Sequence, residues 1–226
     1  MILTNDDGYQ APGIAALRQA VERLGLDHTV VAPSEAVSGC GHAVTTHSVL
    51  RSRPEDAGGW SVDGTPADCV RLALHRFVPD AKWVVSGINA GGNLGVDLFH
   101  SGTVAAVREA VFYGHKGIAF SHYIAKDFRI DWSRAAEWTV QILPDLLARE
   151  LPPRSFWNVN FPCIDLNAPM PKVVFCPWDP SPLPLRYRYE GGEARYEGVY
   201  HERTREPGHD VSVCFEGKIA VSLVTL

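Results

Sequence analysis

Short apolar runs alternate with amphipathic stretches over the first 125 residues of the chain. Ile2-Leu3-Thr4 predicts a clipped strand that runs into Asn5-Asp6-Asp7-Gly8. Pro12 then opens a stretch whose apolar positions, Ile14, Leu17, Val21 and Leu24, fall at helical spacing. His28 to Pro33 predicts a second strand, stopped by its proline, and Ser34 to Gly41 a loop behind it. The alternating polar run from His42 to Arg53 is patterned for a hairpin, and Ser61-Val62-Asp63 for a short strand. Thr65 before Pro66 marks the cap and first turn of a helix reaching about Phe77. Further along, Trp83 to Ser86 predicts a buried strand and Gly87 to His100 a glycine-rich loop. A helix over Thr103 to Tyr113, a strand over Gly117 to Ser121 and a helix over Trp132 to Leu147 complete the series.

Strands alternating with helices at this interval predict an α/β fold: a Rossmann-like, doubly wound, mostly parallel sheet with helices on both faces. Ligands of such sheets bind beyond the carboxyl ends of the strands. The unusual polar residues fall there: Asp6 and Asp7 after the first strand, Ser38 after the second, Asn89 after Val84-Val85. Beyond Phe161 the pattern changes, with prolines at 162, 169, 171, 177, 180, 182 and 184, then Arg186-Tyr187-Arg188-Tyr189 and Gly191-Gly192. The expected division is a core over residues 1–161 and a proline-rich extension with a β-hairpin over 162–226, returning to the core at the C-terminus. Such an extension suits packing on a partner subunit; a self-contained β subdomain is the alternative.

Hydrophobic residues make up 46% of the chain, enough to bury a sizeable core and to exclude a disordered tail protein. A net charge of −5 makes a nucleic-acid polymer a poor partner. Any anionic substrate therefore needs a local source of positive potential. The five cysteines are odd in number and form no C-x-x-C pair, which points to reduced thiols in a cytoplasm rather than a disulfide framework. No window approaches the ~18 uninterrupted apolar residues of a membrane span.

Adjacent carboxylates at Asp6 and Asp7 can converge where Gly8 frees the turn, and a divalent cation is the usual remedy for two uncompensated acids. The plainer alternative is that one of them caps the following helix. Oxygen donors select Mg²⁺, Mn²⁺ or Ca²⁺ over zinc. In Ser38-Gly39-Cys40-Gly41-His42, small residues admit a ligand close to backbone N–H groups, with an ordinary loop as the alternative. His42 reads as a hydrogen-bonded loop histidine in preference to a metal ligand. Ser101-Gly102-Thr103 opens a helix whose free N–H groups and dipole make a phosphate seat. Neither G-x-G-x-x-G, a P-loop, a D-x-D pair nor a G-x-S-x-G elbow can be written in this chain.

Together these segments resemble the SurE family of stationary-phase survival proteins, metal-dependent nucleotide phosphatases. The resemblance is carried by Leu3-Thr4-Asn5-Asp6-Asp7-Gly8, Val31-Ala32-Pro33 with Ser38-Gly39, and Val62-Asp63-Gly64-Thr65-Pro66-Ala67-Asp68. Ser86-Gly87-Ile88-Asn89 with Asn93-Leu94-Gly95, and Ser101-Gly102-Thr103-Val104-Ala105-Ala106, follow in order, with a later echo at Asn158-Val159-Asn160. It implies one divalent cation per subunit, Mn²⁺ or Mg²⁺, held by Asp6, Asp7, Ser38 and Asn89. It also implies hydrolysis of nucleoside 5′- and 3′-monophosphates, some action on short polyphosphate, and dimers or tetramers joined by the C-terminal arm. On this expectation Asp6 and Asn93 are catalytic, with Asp6 orienting or deprotonating the attacking water, while Gly39, Asn93, Ser101, Gly102 and Thr103 hold the phosphate. A nucleotide-sensing module without turnover is the rival; a dinucleotide-dependent oxidoreductase lacks its glycine pattern.

Overall fold

The computed structural model describes residues 1–126, 128–165 and 167–226. Eleven strands and five α-helices run along them: β1 (Ile2–Thr4), α1 (Pro12–Arg23), β2 (Thr29–Pro33), β3 (Ser52–Pro54), β4 (Trp60–Val62) and α2 (Pro66–Leu72). Then come β5 (Trp83–Ala90), α3 (Gly102–Phe112), β6 (Lys116–His122), α4 (Trp132–Ala148), β7 (Ser155–Phe161) and β8 (Val173–Phe175). β9 (Tyr187–Glu190), β10 (Glu193–Tyr196), α5 (Asp210–Phe215) and β11 (Ile219–Thr225) close the chain. Nine strands form one sheet in the order β3-β4-β2-β1-β5-β6-β7-β11-β8. Pairing is parallel from β4 through β7 and between β11 and β8; β3 and β11 run antiparallel to β4 and β7. β9 and β10 make a separate antiparallel hairpin.

The two-residue period of the strands divides the core between the faces of the sheet. Leu3 and Val85 point to one face, where they pack with Ile14 and Leu17 of α1 and Leu143 of α4. Ile2 and Val84 point to the other, against Val70 of α2 and Ala106 and Ala110 of α3. Burying one such leucine or valine contributes about 1.5–3 kcal/mol, so both layers weigh heavily in the fold. No helix of the described residues is long and apolar enough to cross a membrane.

Two expectations need correction. The hairpin lies between β3 and β4, not within His42 to Arg53. Gly58 and Gly59 turn the chain there, closed by the Gly58 N–H donating to the Glu55 carbonyl (2.9 Å). The polar groups of the 42–51 run are spent elsewhere: Thr45 donates both its N–H (2.9 Å) and its hydroxyl (2.7 Å) to Asp68. Second, β5 continues through Ala90, so Asn89 stands on a strand and not in a loop. A register shift between Ser86 and Asn89 absorbs Gly87, whose φ of +136° and whose contact with the Phe120 carbonyl leave no place for a Cβ.

Candidate active site

The turn after β1 is built by Asn5. Its side-chain amide donates to the Gly8 carbonyl (2.8 Å) and its carbonyl accepts the Gly8 N–H (3.2 Å), clasping Asp6 and Asp7 between them. Neither acid caps α1, whose first turn is set by Ala11 and Pro12. Asp6 is buried, 4% exposed, against the start of α3. A Cβ on Gly102 would lie 2.9 Å from both Cβ and Oδ2 of Asp6, and the Thr103 hydroxyl donates to Asp6 Oδ1. Burial pushes the Asp6 carboxyl up to about 6; Thr103 pulls it down and the neighbouring charge of Asp7 pushes it up again. Asp7 is also raised by burial, partly offset because its Oδ2 accepts the Ala90 N–H (3.2 Å).

That last bond ties the acids to the end of β5. There the Asn89 amide donates to the Gly91 carbonyl (2.8 Å), which leaves its own oxygen as a donor atom for a cation. The loop after β2 arrives on the other side, where the Val37 N–H donates to the Asp6 carbonyl (2.8 Å) and places Ser38 next along. The Ser38 hydroxyl makes no hydrogen bond to another described residue, and open space surrounds Gly39, which adopts φ +80°. His42 ends this loop with Nε2 2.7 Å from Glu109 on α3 and its ring stacked on Phe112.

The residues expected to seat phosphate divide by the contacts they make. Ser101 caps α3, accepting the Val104 N–H at 3.0 Å. Gly102 carries no side chain because Asp6 fills the space, and the Thr103 hydroxyl is committed to that same acid. Asn93 is buried, with its amide donating to the Ser121 hydroxyl (2.8 Å), and Ser121 is the strand partner of Asn89. Asn158 and Asn160 hold Asn93 through its backbone, a role that sequence reading did not assign to them. The available signal was their alternation in Asn158-Val159-Asn160, which puts both on one face of β7.

The donor set fits a hard divalent cation. Two adjacent carboxylates, one of them nearly fully buried, have no Lys, Arg or His within ion-pair distance among the described residues. Uncompensated buried acids are costly, and oxygen from Asp7, Asn89 and Ser38 supplies the ligands Mg²⁺ or Mn²⁺ prefers. Among the described residues no cluster of three or more His, Cys, Asp or Glu competes as a metal centre.

Known proteins resemble this chain in sequence and fold. A family model described as "Survival protein SurE" matches residues 1–178. A protein of Nostoc sp. is 50% identical over 98% of this chain and 97% of its own length. The 5′-nucleotidase SurE of Deinococcus radiodurans is 39% identical over 100% of this chain and 87% of its own. The SurE protein from Aquifex aeolicus, a crystal structure, superposes with a TM-score of 0.84 at 33% identity, covering 99% of this chain and 92% of that one. With its first 178 residues matched and its sheet superposing on a solved member, the chain belongs to the SurE family.

Proposed function

We propose that this chain is a divalent-metal-dependent phosphomonoesterase that hydrolyses nucleoside 5′-monophosphates to nucleoside and phosphate. Nucleoside 3′-monophosphates and short polyphosphate are its further substrates. The reading is supported by relatives named as 5′-nucleotidases. The single observation that carries it is the Asp6–Asp7 pair, without a cationic partner among the described residues, with Asp6 buried against the start of α3 and Asp7 half-buried beside the end of β5. Asp6, Asp7, Ser38 and Asn89 would hold one Mn²⁺ or Mg²⁺. Bound there, the ion supplies Lewis acidity toward water and phosphoryl oxygen.

The protein's own groups do the rest. Thr103 fixes Asp6 through Oδ1, so Oδ2 is the oxygen that orients the attacking water and takes its proton. Asn93, immobilised by Ser121, Asn158 and Asn160, presents its remaining amide capacity to the phosphate. The Ser101 hydroxyl proton and the dipole of α3 favour the same anion, and Gly39 leaves it room to enter. Positive potential is thus local, in a chain whose net charge is −5. The exposed hairpin β9–β10 is the arm through which subunits join as dimers or tetramers. Five free thiols suit a reducing cytoplasm.

Phosphate release from AMP tests the proposal. Activity with Mn²⁺ is expected to vanish in EDTA and to fall by about 10²-fold or more in Asp7→Asn. Full activity in EDTA overturns the metal assignment, and AMP binding without turnover under any divalent ion marks a sensing module instead.

A further inference from the structure

The segment Asn93–Gly95 pairs with no strand among the described residues, yet a side chain holds each of its backbone polar groups from the Asn93 N–H to the Gly95 N–H. Asn160 accepts the Asn93 N–H at 2.8 Å, and Asn158 and Asn160 donate to the Asn93 carbonyl at 2.9 and 3.0 Å. Asp97 accepts the Leu94 N–H (3.3 Å), Arg203 donates to the Leu94 carbonyl (3.4 Å), and Asp210 accepts the Gly95 N–H (2.8 Å). Four of these five side chains come from the last 70 residues of the chain.

Asp97 is the joint of this arrangement. One of its carboxylate oxygens receives Nη1 of Arg203 at 2.8 Å and the Tyr200 hydroxyl at 2.5 Å. Burial and the Asp97 charge hold the Tyr200 phenol far above its ordinary value, so it remains a donor. The Asp97 carbonyl accepts the N–H groups of His100 and Ser101, at 3.0 and 3.1 Å, one residue before α3 begins. A grip on Asp97 is therefore a grip on the start of α3 and on Thr103, which holds Asp6.

The Arg203 side chain is fully buried, and its Nε and Nη2 have no partner among the described residues. A buried guanidinium with one carboxylate is a poor source of stability, since a well-packed apolar side chain does as well or better. Its planar fork, fixed over the Tyr200 ring at 5.1 Å, is instead a means of setting direction. Gly95 lets it approach: a Cβ there would lie 2.6 Å from the Asp179 carbonyl and 3.1 Å from Nη2.

We propose that Arg203 and Tyr200, acting through Asp97, are positioning residues for the phosphoryl group, setting where Asn93 and the Ser101–Thr103 turn stand. The inference rests on the phosphomonoesterase reading above. Only Asp6 among the four proposed metal ligands is tied to this network, through Thr103; Asp7, Ser38 and Asn89 hang from the ends of β1, β2 and β5, so the effect falls on phosphate more than on the metal.

The experiment measures kcat and KM for AMP, inhibition by inorganic phosphate, and Mn²⁺ binding by the electron paramagnetic resonance signal of the free ion. In Arg203→Met, KM and the phosphate inhibition constant are expected to rise about tenfold and kcat to fall about tenfold, with Mn²⁺ affinity within about twofold of wild type. Tyr200→Phe keeps the fold and the ring, removes one of the two side-chain donors to Asp97, and is expected to raise the same constants about threefold. Arg203→Lys, which restores charge without the fork, recovers only part of the loss. A purely structural role would lower kcat and Mn²⁺ stoichiometry together and leave KM and phosphate inhibition unmoved. That result, or unchanged constants in Tyr200→Phe if Arg203→Met does not fold, overturns the proposal while wild-type turnover still stands. A wild-type protein inert toward AMP removes the underlying reading and the positioning role with it.

Discussion

Thr103 spends its hydroxyl on Asp6 Oδ1, so the acid keeps one oxygen free and one fixed. Thr103→Val preserves shape and helix start but deletes that donor. It is expected to lower kcat/KM for AMP by about tenfold and, because a buried carboxylate oxygen loses its donor, to cost about 1–3 kcal/mol of stability, read by steady-state kinetics beside urea titration. A second residue-level effect concerns His122, buried among Phe128, Trp138 and Phe161, where burial pushes the imidazole down to about 4. Its folded value lies below its unfolded one, so the stability it contributes is full above about pH 6.5 and is lost as pH falls through about 4. Wild type should therefore lose about 2 kcal/mol relative to His122→Phe between about pH 7.5 and about pH 5, measured by urea midpoints at each pH. Asp210, pushed up to about 6 by burial, runs the other way, its contribution fading as pH rises through that value. It is common to both proteins and cancels in the comparison. The acids and Asn89 were legible in the sequence because they break an apolar pattern at strand ends. Arg203 was not: its partners, Asp97 and a backbone carbonyl, lie more than a hundred positions away.

At the level of elements, α1 touches the sheet where it has least room. A Cβ on Gly13 would fall 1.9 Å from the Ile88 carbonyl, beside Asn89 on β5. Gly13→Ala gains helix propensity but must push the helix off the strand. A net loss of about 2–4 kcal/mol is expected in denaturant unfolding, with weaker metal activation from the disturbed β5 end. Helices with clear amphipathic spacing, such as α1 with Ile14 and Leu17 inward, could be read from the sequence, as could a mostly parallel sheet from the alternation of strands and helices. The β3–β4 hairpin and the extension of β5 could not. Polar alternation in residues 42–53 resembles a strand pair, but Asp68 draws Thr45 away from any ladder. Gly87 reads as a loop residue, while tertiary packing against Phe120 makes it a bulge within a strand.

For the whole molecule, the hairpin β9–β10 stands apart from the nine-stranded sheet and exposes Tyr187, Tyr189 and Tyr196, with Leu185 91% exposed just before it. Contiguous exposed aromatic surface of this kind marks a protein contact. Replacing the three tyrosines with serine is expected to dissociate the proposed oligomer in sedimentation velocity while shifting subunit stability by less than about 1 kcal/mol. Strand β11, which follows the hairpin, has a different consequence. β11 is slotted between β7 and β8 rather than added at a rim, and α5 lies just before it. A nascent polypeptide therefore carries all four proposed ligands long before its sheet can close. Until β11 has been made, β7 offers an unpaired row of backbone N–H and C=O groups to any neighbouring chain. A premature stop ahead of Ile219 would then yield an insoluble product rather than a weakened enzyme.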